Sequence, residues 1–152
     1  MDTIDCKILA ELQNDGRLTA TELAERVGLS VSPCLRRVRA LEDQGVIKDY
    51  RARVEPSAVG LNFSALVFVI LRQADRSMLE QFEAAVLGVR QITQAQRLFG
   101  EPDYLLKCTV KDVNAFQRLY DDVLIALPGV QRLTSTLVMK SLIDERPLAL
   151  FD

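Results

Sequence analysis

The sequence predicts an α+β protein in which a small helical N-terminal domain precedes a larger domain of mixed strands and helices. Three observations support this class. Apolar residues recur at helical spacing up to Ile47, and a segment containing Pro56 and Gly60 interrupts that pattern. Beyond the segment, apolar runs of strand length alternate with amphipathic helical stretches. With 152 residues, 49% of them hydrophobic, the chain can bury the core of one large or two small domains.

The N-terminal part predicts two short helices before residue 28. Asp2 or Thr3 can cap a first helix, whose apolar positions follow helical spacing: Ile4, Ile8, Leu9 and Leu12. Thr19 and Glu22 have the spacing of a capping box, which opens a second helix. Gly28 follows that helix directly, and a tight turn between helices commonly needs the positive φ that glycine permits.

The stretch from Gly28 to Ile47 predicts a third helix that is basic on one side. Ser30 or Ser32 can cap its start, and Gly45 can end it. Pro33 is tolerated only within the first turn. One face carries the apolar residues Cys34, Val38 and Leu41, and the other faces carry Ser32, Leu35, Arg36 and Arg39. A basic helix after a glycine turn is the helix-turn-helix arrangement, although exposed arginines are also common on ordinary solvated surfaces.

The residues after Ile47 extend the helix-turn-helix prediction to a winged variant. The alternation from Tyr50 to Val54 is a strand period, and Lys48, Arg51 and Arg53 beside it can reach phosphates. We therefore expect a winged helix-turn-helix domain over residues 1–54, a hinge over 55–62 and a second domain over 63–152.

The second domain predicts the order β-α-β-β-α-β, which is the ferredoxin-like arrangement. A capping box at Ser77 and Glu80 opens its first helix, and Asp112 caps its second. The predicted strands are Phe63–Leu71, Val89–Phe99, Tyr104–Val110 and Val130–Lys140. Both alternating sets of residues in the first strand are hydrophobic, so the sheet face that the helices leave open needs a partner. A second copy of the chain is the simplest such partner.

Composition argues against catalysis. The chain has no histidine, which excludes Ser-His-Asp and Cys-His catalysis and histidine-bearing zinc sites. It has no P-loop or dinucleotide-binding glycine motif, so we expect no enzyme activity, metal or cofactor. Cys6, Cys34 and Cys108 are scattered and odd in number, which predicts free thiols in a reducing cytosol. No apolar run reaches the roughly 20 residues of a membrane helix, and the start lacks a signal peptide's basic region, so we expect a cytoplasmic protein.

The formal net charge of −2 argues weakly against nucleic-acid binding, because many DNA-binding domains are strongly basic. The distribution of charge weakens this objection. Between Arg36 and Arg53 there are six basic residues and three acidic ones. The positive charge is therefore local, and a dimer would double it.

The chain resembles the Lrp/AsnC (leucine-responsive regulator, feast/famine) transcription factors. The resemblance rests on these stretches: I-D-C-K-I-L-A-E-L-Q-N-D-G-R, L-A-E-R-V-G-L-S, P-C-L-R-R-V-R-A-L-E-D-Q-G-V-I, G-E-P-D-Y-L-L-K and L-P-G-V. The resemblance covers nearly the whole chain, and the sequence is nearer to the leucine-responsive branch of the family. It implies a DNA-binding N-terminal domain and a C-terminal domain for effector binding and oligomerisation, with dimers stacked into octamers.

An effector site is expected near the hairpin at residues 100–103. A glycine turn exposes backbone N–H groups that can hold a carboxylate, and Asp103 and Asp122 can hold an ammonium group. Read without the resemblance, the turn is an ordinary hairpin and Asp122 a solvated helix residue. The resemblance implies a ligand between dimers, near Gly100, Glu101, Pro102, Asp103, Asp122 and Ser135. This chain has Leu133 and Ser135 where relatives commonly carry T-x-T, so leucine itself is not implied.

In the N-terminal domain, the residues predicted to contact DNA are Ser30, Ser32, Pro33, Leu35, Arg36, Arg39 and Lys48. Arg37 lies beside the apolar face, so we expect it to be structural and paired with Glu42 or Asp5.

The sequence predicts a sequence-specific transcription regulator that binds double-stranded DNA as a homodimer, or a higher assembly, and responds to an amino acid or related metabolite. Two alternatives remain open: an architectural DNA-wrapping protein without an effector, and an enzyme or metabolite carrier that holds a helix-turn-helix.

Overall fold

A computed structural model describes residues 1–73 and 75–150. The chain forms two compact units. The first, called the helical unit, comprises Met1–Arg53 together with residues 142–150. The second, called the sheet unit, comprises Val54–Ser141. The sequence had placed the C-terminal segment with the second domain, whereas its contacts group it with the first.

The helical unit contains α1 (Thr3–Asn14), α2 (Ala20–Val27) and α3 (Val31–Asp43). Asp2 caps α1, and its carboxylate accepts a hydrogen bond from the Asp5 backbone N–H. The capping box of Thr19 and Glu22 at the start of α2 is confirmed. Both caps occupy N–H groups that the first turn of a helix leaves free. Three apolar faces then enclose one core, formed by Ile8, Leu9, Leu23, Ala24, Val27, Cys34, Val38 and Leu41.

The predicted strand after the third helix is wrong. The described residues from 48 to 54 form no strand, and α3 is followed by a turn at residues 44–47. An alternating pattern gives a segment the faces of a strand, but a strand also needs a hydrogen-bonded neighbour. Residues 50–54 have no such neighbour among the strand pairs of the described chain.

The sheet unit contains β1 (Phe63–Leu71), α4 (Arg76–Leu87), β2 (Ile92–Arg97), β3 (Tyr104–Val110), α5 (Val113–Leu119) and β4 (Val130–Leu137). A short 3-10 helix (Pro56–Val59) precedes β1, and a π-helical turn (Tyr120–Leu124) extends α5. The strand order is β2-β3-β1-β4, and every neighbouring pair is antiparallel. The predicted ferredoxin-like order is therefore confirmed.

The predicted ends of several elements needed correction. The second strand begins at Ile92 rather than Val89, and the last strand stops at Leu137 rather than Lys140. The capping box expected at Ser77 is wrong, because Asp75 caps α4 and accepts from the Met78 backbone N–H. Asp75 takes the cap two residues earlier, which places Ser77 inside the helix.

The two faces of β1 have different surroundings. Ala65, Val67, Val69 and Leu71 are buried beneath the helices, while the alternating set remains half-buried: Ser64, Leu66, Phe68 and Ile70. The register places Leu105 and Lys107 of β3 on this second face, opposite Phe68 and Leu66. The face is apolar at its centre, and the helices of the sheet unit pack on the opposite face. We call this second face the open face.

Two of the three cysteines are core residues. Cys34 and Cys108 are each 0% exposed, one in the core of each unit. Burial raises the pKa of the Cys34 thiol, and it raises that of Cys108 to about 11. Within the described residues, no helix combines the length and the hydropathy that crossing a bilayer would require.

Candidate DNA-recognition helix and effector surface

α3 presents an exposed polar face on the side away from the core. Gly28, with φ +74°, ends α2 in the left-handed conformation and turns the chain toward α3. Cys34, Val38 and Leu41 then anchor α3 in the core. A residue about half a turn away from this face must point outward, because successive residues rotate by about 100° around a helix axis. Arg36 is accordingly exposed.

The predicted DNA-contact residues do not all lie on that face. Ser32, Arg36 and Arg39 are exposed together on it, and Ser30 stands at the helix N-cap. The Ser30 hydroxyl makes no capping hydrogen bond. Three further candidates lie beside or beyond the face: Pro33 and Leu35, which are half-buried, and Lys48, which is exposed after the helix ends.

Arg37 is held in place, unlike its neighbour Arg36. One of its nitrogens, Nη1, donates to Asp5 Oδ1 at 2.8 Å and to Asp2 Oδ2 at 2.8 Å. These hydrogen bonds, first to Asp5 and then to Asp2, raise the pKa of the Arg37 guanidinium. The Asp5 backbone N–H and then Arg37 lower the pKa of Asp2. The predicted pairing of Arg37 with Asp5 is confirmed, and Asp2 joins it.

The cations of α3 and of the segment after it divide into two groups. Arg51 pairs with Asp49, and Arg53 donates to the Glu145 backbone oxygen. By contrast, the side chains of Arg36, Arg39 and Lys48 form no ion pair with any residue in the described ranges. Because an unpaired cation loses no existing partner when it approaches a phosphate, these three are the available anion-binding groups.

The hairpin between β2 and β3 is fastened to β1 by Asp103. Its carboxylate Oδ2 accepts a hydrogen bond from the Leu71 backbone N–H at 2.8 Å, and its own N–H donates to the Val69 oxygen at 2.9 Å. Gly100 in this hairpin has φ +117°, a conformation that side chains rarely adopt. One oxygen of Asp103 is therefore already used inside the domain, and the residue orients the hairpin.

A cavity of about 340 Å³ opens beside this hairpin on the open face. It is lined by Phe68, Ile70, Glu101, Pro102, Arg132 and Thr134. Arg132 Nη2 donates to Glu101 Oε1 at 3.2 Å, so both charge signs stand at the cavity. The sequence alone predicted Glu101 and Pro102 at this site but not Arg132. The register, in which Arg132 faces Ile70, is the signal that identifies it.

The other predicted effector residues lie apart from this cavity. Asp122 lines a second cavity of about 480 Å³, together with Lys111 and Arg118. Ser135 pairs in register with Val67, whose side chain points to the helix-covered side, and it lines neither cavity. A single chain therefore brings the hairpin residues together but leaves Asp122 and Ser135 elsewhere.

Comparison with known proteins agrees with this architecture. Residues 1–48 match the family described as winged helix-turn-helix DNA-binding, and residues 64–148 match the Lrp/AsnC ligand binding domain. The leucine-responsive regulatory protein of Rhizobium meliloti is 41% identical over 144 residues, which is 95% of this chain and 92% of the relative. The protein of that name in Escherichia coli K12 is 41% identical over 140 residues, covering 92% and 85%.

Solved structures match at the level of the whole chain. A transcriptional regulator of Neisseria meningitidis, in complex with L-methionine, is 41% identical with a TM-score of 0.92, covering 99% of this chain and 97% of its own. A regulator of the AsnC family from Agrobacterium tumefaciens is 31% identical with a TM-score of 0.92 and the same coverage. The chain therefore belongs to the Lrp/AsnC family, and it is a transcription regulator with a DNA-binding domain and a ligand-binding domain rather than an enzyme.

Proposed function

We propose that α3 and the residues flanking it read operator DNA through Ser30, Ser32, Pro33, Leu35, Arg36, Arg39 and Lys48. The observation that carries this proposal is the contrast between adjacent arginines. Arg37 is bound to two carboxylates, whereas Arg36 and Arg39 are exposed and without an ion-pair partner in the described chain. Arginine can bind a phosphate or make two hydrogen bonds to a guanine edge. Since the target is chromosomal DNA, we place the protein in the cytoplasm.

We also propose that the DNA-binding form is a homodimer built through the open face, with dimers assembling further to an octamer or similar. Leu66, Phe68 and Ile70 form a half-buried apolar centre on that face, flanked by Leu105. An antiparallel sheet commonly leaves one face to water, but such a face is normally polar. Pairing two copies would bury the apolar centre and place two basic helices in one molecule. The expected operator is then a pseudo-palindrome.

The homodimer can be tested by light scattering on the wild type and on Phe68→Asp. A buried carboxylate in the centre of the interface is costly, so the variant should have the mass of one chain. Gln96→Asp is the matched control, because Gln96 lies on the outer strand β2 at the same sheet face and is exposed. Wild-type protein that stays at the mass of one chain would refute the dimer.

We further propose that the effector is an amino acid and that its site includes Gly100, Glu101, Pro102, Asp103, Asp122 and Ser135. The cavity at the hairpin offers Arg132 for a carboxylate and Glu101 for an ammonium group, beside apolar Phe68 and Ile70. Asp122 and Ser135 would join from another copy, since one chain leaves them apart. The Neisseria meningitidis relative with bound L-methionine supports an amino acid with an apolar side chain.

Calorimetric titration with L-methionine and L-leucine tests the effector proposal. Asp122→Asn should weaken binding, because a neutral amide attracts an ammonium group less than a carboxylate does. Asp121→Asn is the control: Asp121 is the exposed neighbour of Asp122 and does not line the second cavity. Equal affinity in the wild type and both variants would remove Asp122 from the site. An absence of heat with every common amino acid, together with intact DNA binding, would favour an effector-independent architectural protein.

A further inference from the structure

The C-terminal segment of the chain, residues 142–150, is attached to the helical unit by a paired hydrogen bond. We call this segment the tail. The Gln13 side-chain amide Nε2 donates to the Leu148 oxygen at 3.3 Å, and the Leu148 N–H donates to Gln13 Oε1 at 2.7 Å. The two residues are 135 positions apart in the sequence. A primary amide that both donates to and accepts from one backbone residue imitates a strand neighbour.

Two more contacts fix the tail on either side of this pair. Arg53 Nη1 donates to the Glu145 backbone oxygen at 3.3 Å. Leu150 is half-buried and packs against the core of the helical unit, as do Ile4, Leu12, Leu18, Leu29 and Ile47. The side chain of Leu148 is 73% exposed, so Leu148 binds through its backbone and Leu150 through its side chain. The tail is therefore held by specific contacts along its length.

Helix α1, which binds the tail, also forms ion pairs with α2 and α3. Glu11 Oε2 of α1 pairs with Arg26 of α2 at 2.9 Å, and Asp5 of α1 pairs with Arg37 of α3 at 2.8 Å. The three helices without the tail make a domain of only about 50 residues, a size at which the buried fraction is small and the stability marginal. Because α1 is joined to α3 in this way, a contact that stabilises α1 also stabilises the position of α3.

We propose that the tail is an integral element of the DNA-binding domain: its docking on α1 holds α3 in the conformation that binds DNA. Four residues, 138–141, separate the end of β4 at Leu137 from the start of the tail at Leu142. The chain therefore passes between the two units twice, once between Arg53 and Val54 and once between Ser141 and Leu142. Undocking the tail lowers DNA affinity without removing any group that contacts DNA.

Hydrogen exchange of the full-length protein, followed by mass spectrometry, tests this proposal with two matched pairs. Leu150→Ala removes the half-buried side chain that packs against the core, and Leu148→Ala removes an exposed side chain of the same type two residues away. Gln13→Ala removes the paired amide, and Lys7→Ala alters an exposed α1 side chain that forms no hydrogen bond or ion pair with the described residues. Alanine favours helix at both α1 positions, so helix propensity cannot explain a loss.

We expect amides of α1 to exchange about tenfold faster in Leu150→Ala and in Gln13→Ala, because local opening no longer has to displace the tail. The controls should match the wild type. DNA affinity, measured by fluorescence anisotropy on a duplex, should fall several-fold in the same two variants. Equal exchange in each variant and its control would overturn the proposal. Faster exchange with unchanged DNA affinity would overturn it as well. If Leu150→Ala does not fold, the Gln13 and Lys7 pair still decides the matter.

Discussion

Arg36 and Arg37 are adjacent in the sequence, and we predict that they have separable roles. Arg36→Ala should weaken DNA binding and leave the melting temperature unchanged, because Arg36 is exposed and forms no ion pair within the described chain. Arg37→Ala should lower both. It leaves Asp2 and Asp5 without their shared cation and removes the ion pairs that join α3 to α1.

The expected loss in Arg36→Ala follows from counterion release. Each phosphate contact adds about 0.9 to the slope of log affinity against log salt, so a dimer that loses two contacts loses about 1.8. If the two proteins bind equally at about 1 M salt, the variant binds roughly 60-fold more weakly at about 0.1 M. For Arg37→Ala we expect a fall in melting temperature of about 2 to 5 °C, since a partly exposed ion network is lost.

Fluorescence anisotropy with a labelled duplex, measured across a salt series, gives the slope, and scanning calorimetry gives the melting temperature. Arg37→Lys is a useful control, because it keeps the charge but loses the guanidinium geometry that serves two carboxylates. Equal melting losses in Arg36→Ala and Arg37→Ala would refute the assignment of roles. An unchanged salt slope in Arg36→Ala would refute the phosphate contact.

Three further predictions concern stability and reactivity. Gly129→Ala should destabilise the protein by about 1–2 kcal/mol, because Gly129 has φ +70°, a left-handed conformation that strains alanine, and an added Cβ would also meet Met78. Urea unfolding measures the loss, and an unchanged midpoint would contradict this prediction. Burial raises the pKa of Tyr104 to about 12, so its stabilisation is complete below the ordinary tyrosine pKa and is lost as pH rises from 10 toward 12. The difference in stability between the wild type and Tyr104→Phe should therefore shrink over that range, and a constant difference would argue against the linkage. A thiol reagent should modify Cys6 in the native protein and reach Cys108, which is 0% exposed, only on unfolding; simultaneous modification would show that the core opens.

Local patterns predicted most elements of the fold, and they failed where a neighbour decides the outcome. The apolar spacing of Cys34, Val38 and Leu41 identified the buried face of α3, because helix periodicity acts within a few residues. The alternation of residues 50–54 was equally regular, yet no strand forms there, since a strand needs a partner that the pattern does not contain. The cap of α4 was also predicted wrongly: Asp75 and Ser77 are both capping residues, and Asp75 is the one that caps the helix.

The candidate sites show the same division. That Arg36 and Arg39 face solvent follows from their spacing relative to the apolar face, so the sequence was enough to identify them. The predicted effector residues around Gly100 come together in one hairpin because they are consecutive. Arg132 entered the same cavity through strand register, which a single sequence does not reveal.

The sequence by itself determined the helices and their buried faces, the order of strands, the free cations of α3 and the absence of histidine chemistry. Each of these depends on residue identity or on spacing within one or two turns. Only the tertiary structure decided that Asp2 joins Asp5 in holding Arg37, that Arg132 meets Glu101 at the cavity, and that the tail returns to Gln13. Such contacts join residues up to 135 positions apart, and they exist only where folding brings distant segments to the same place.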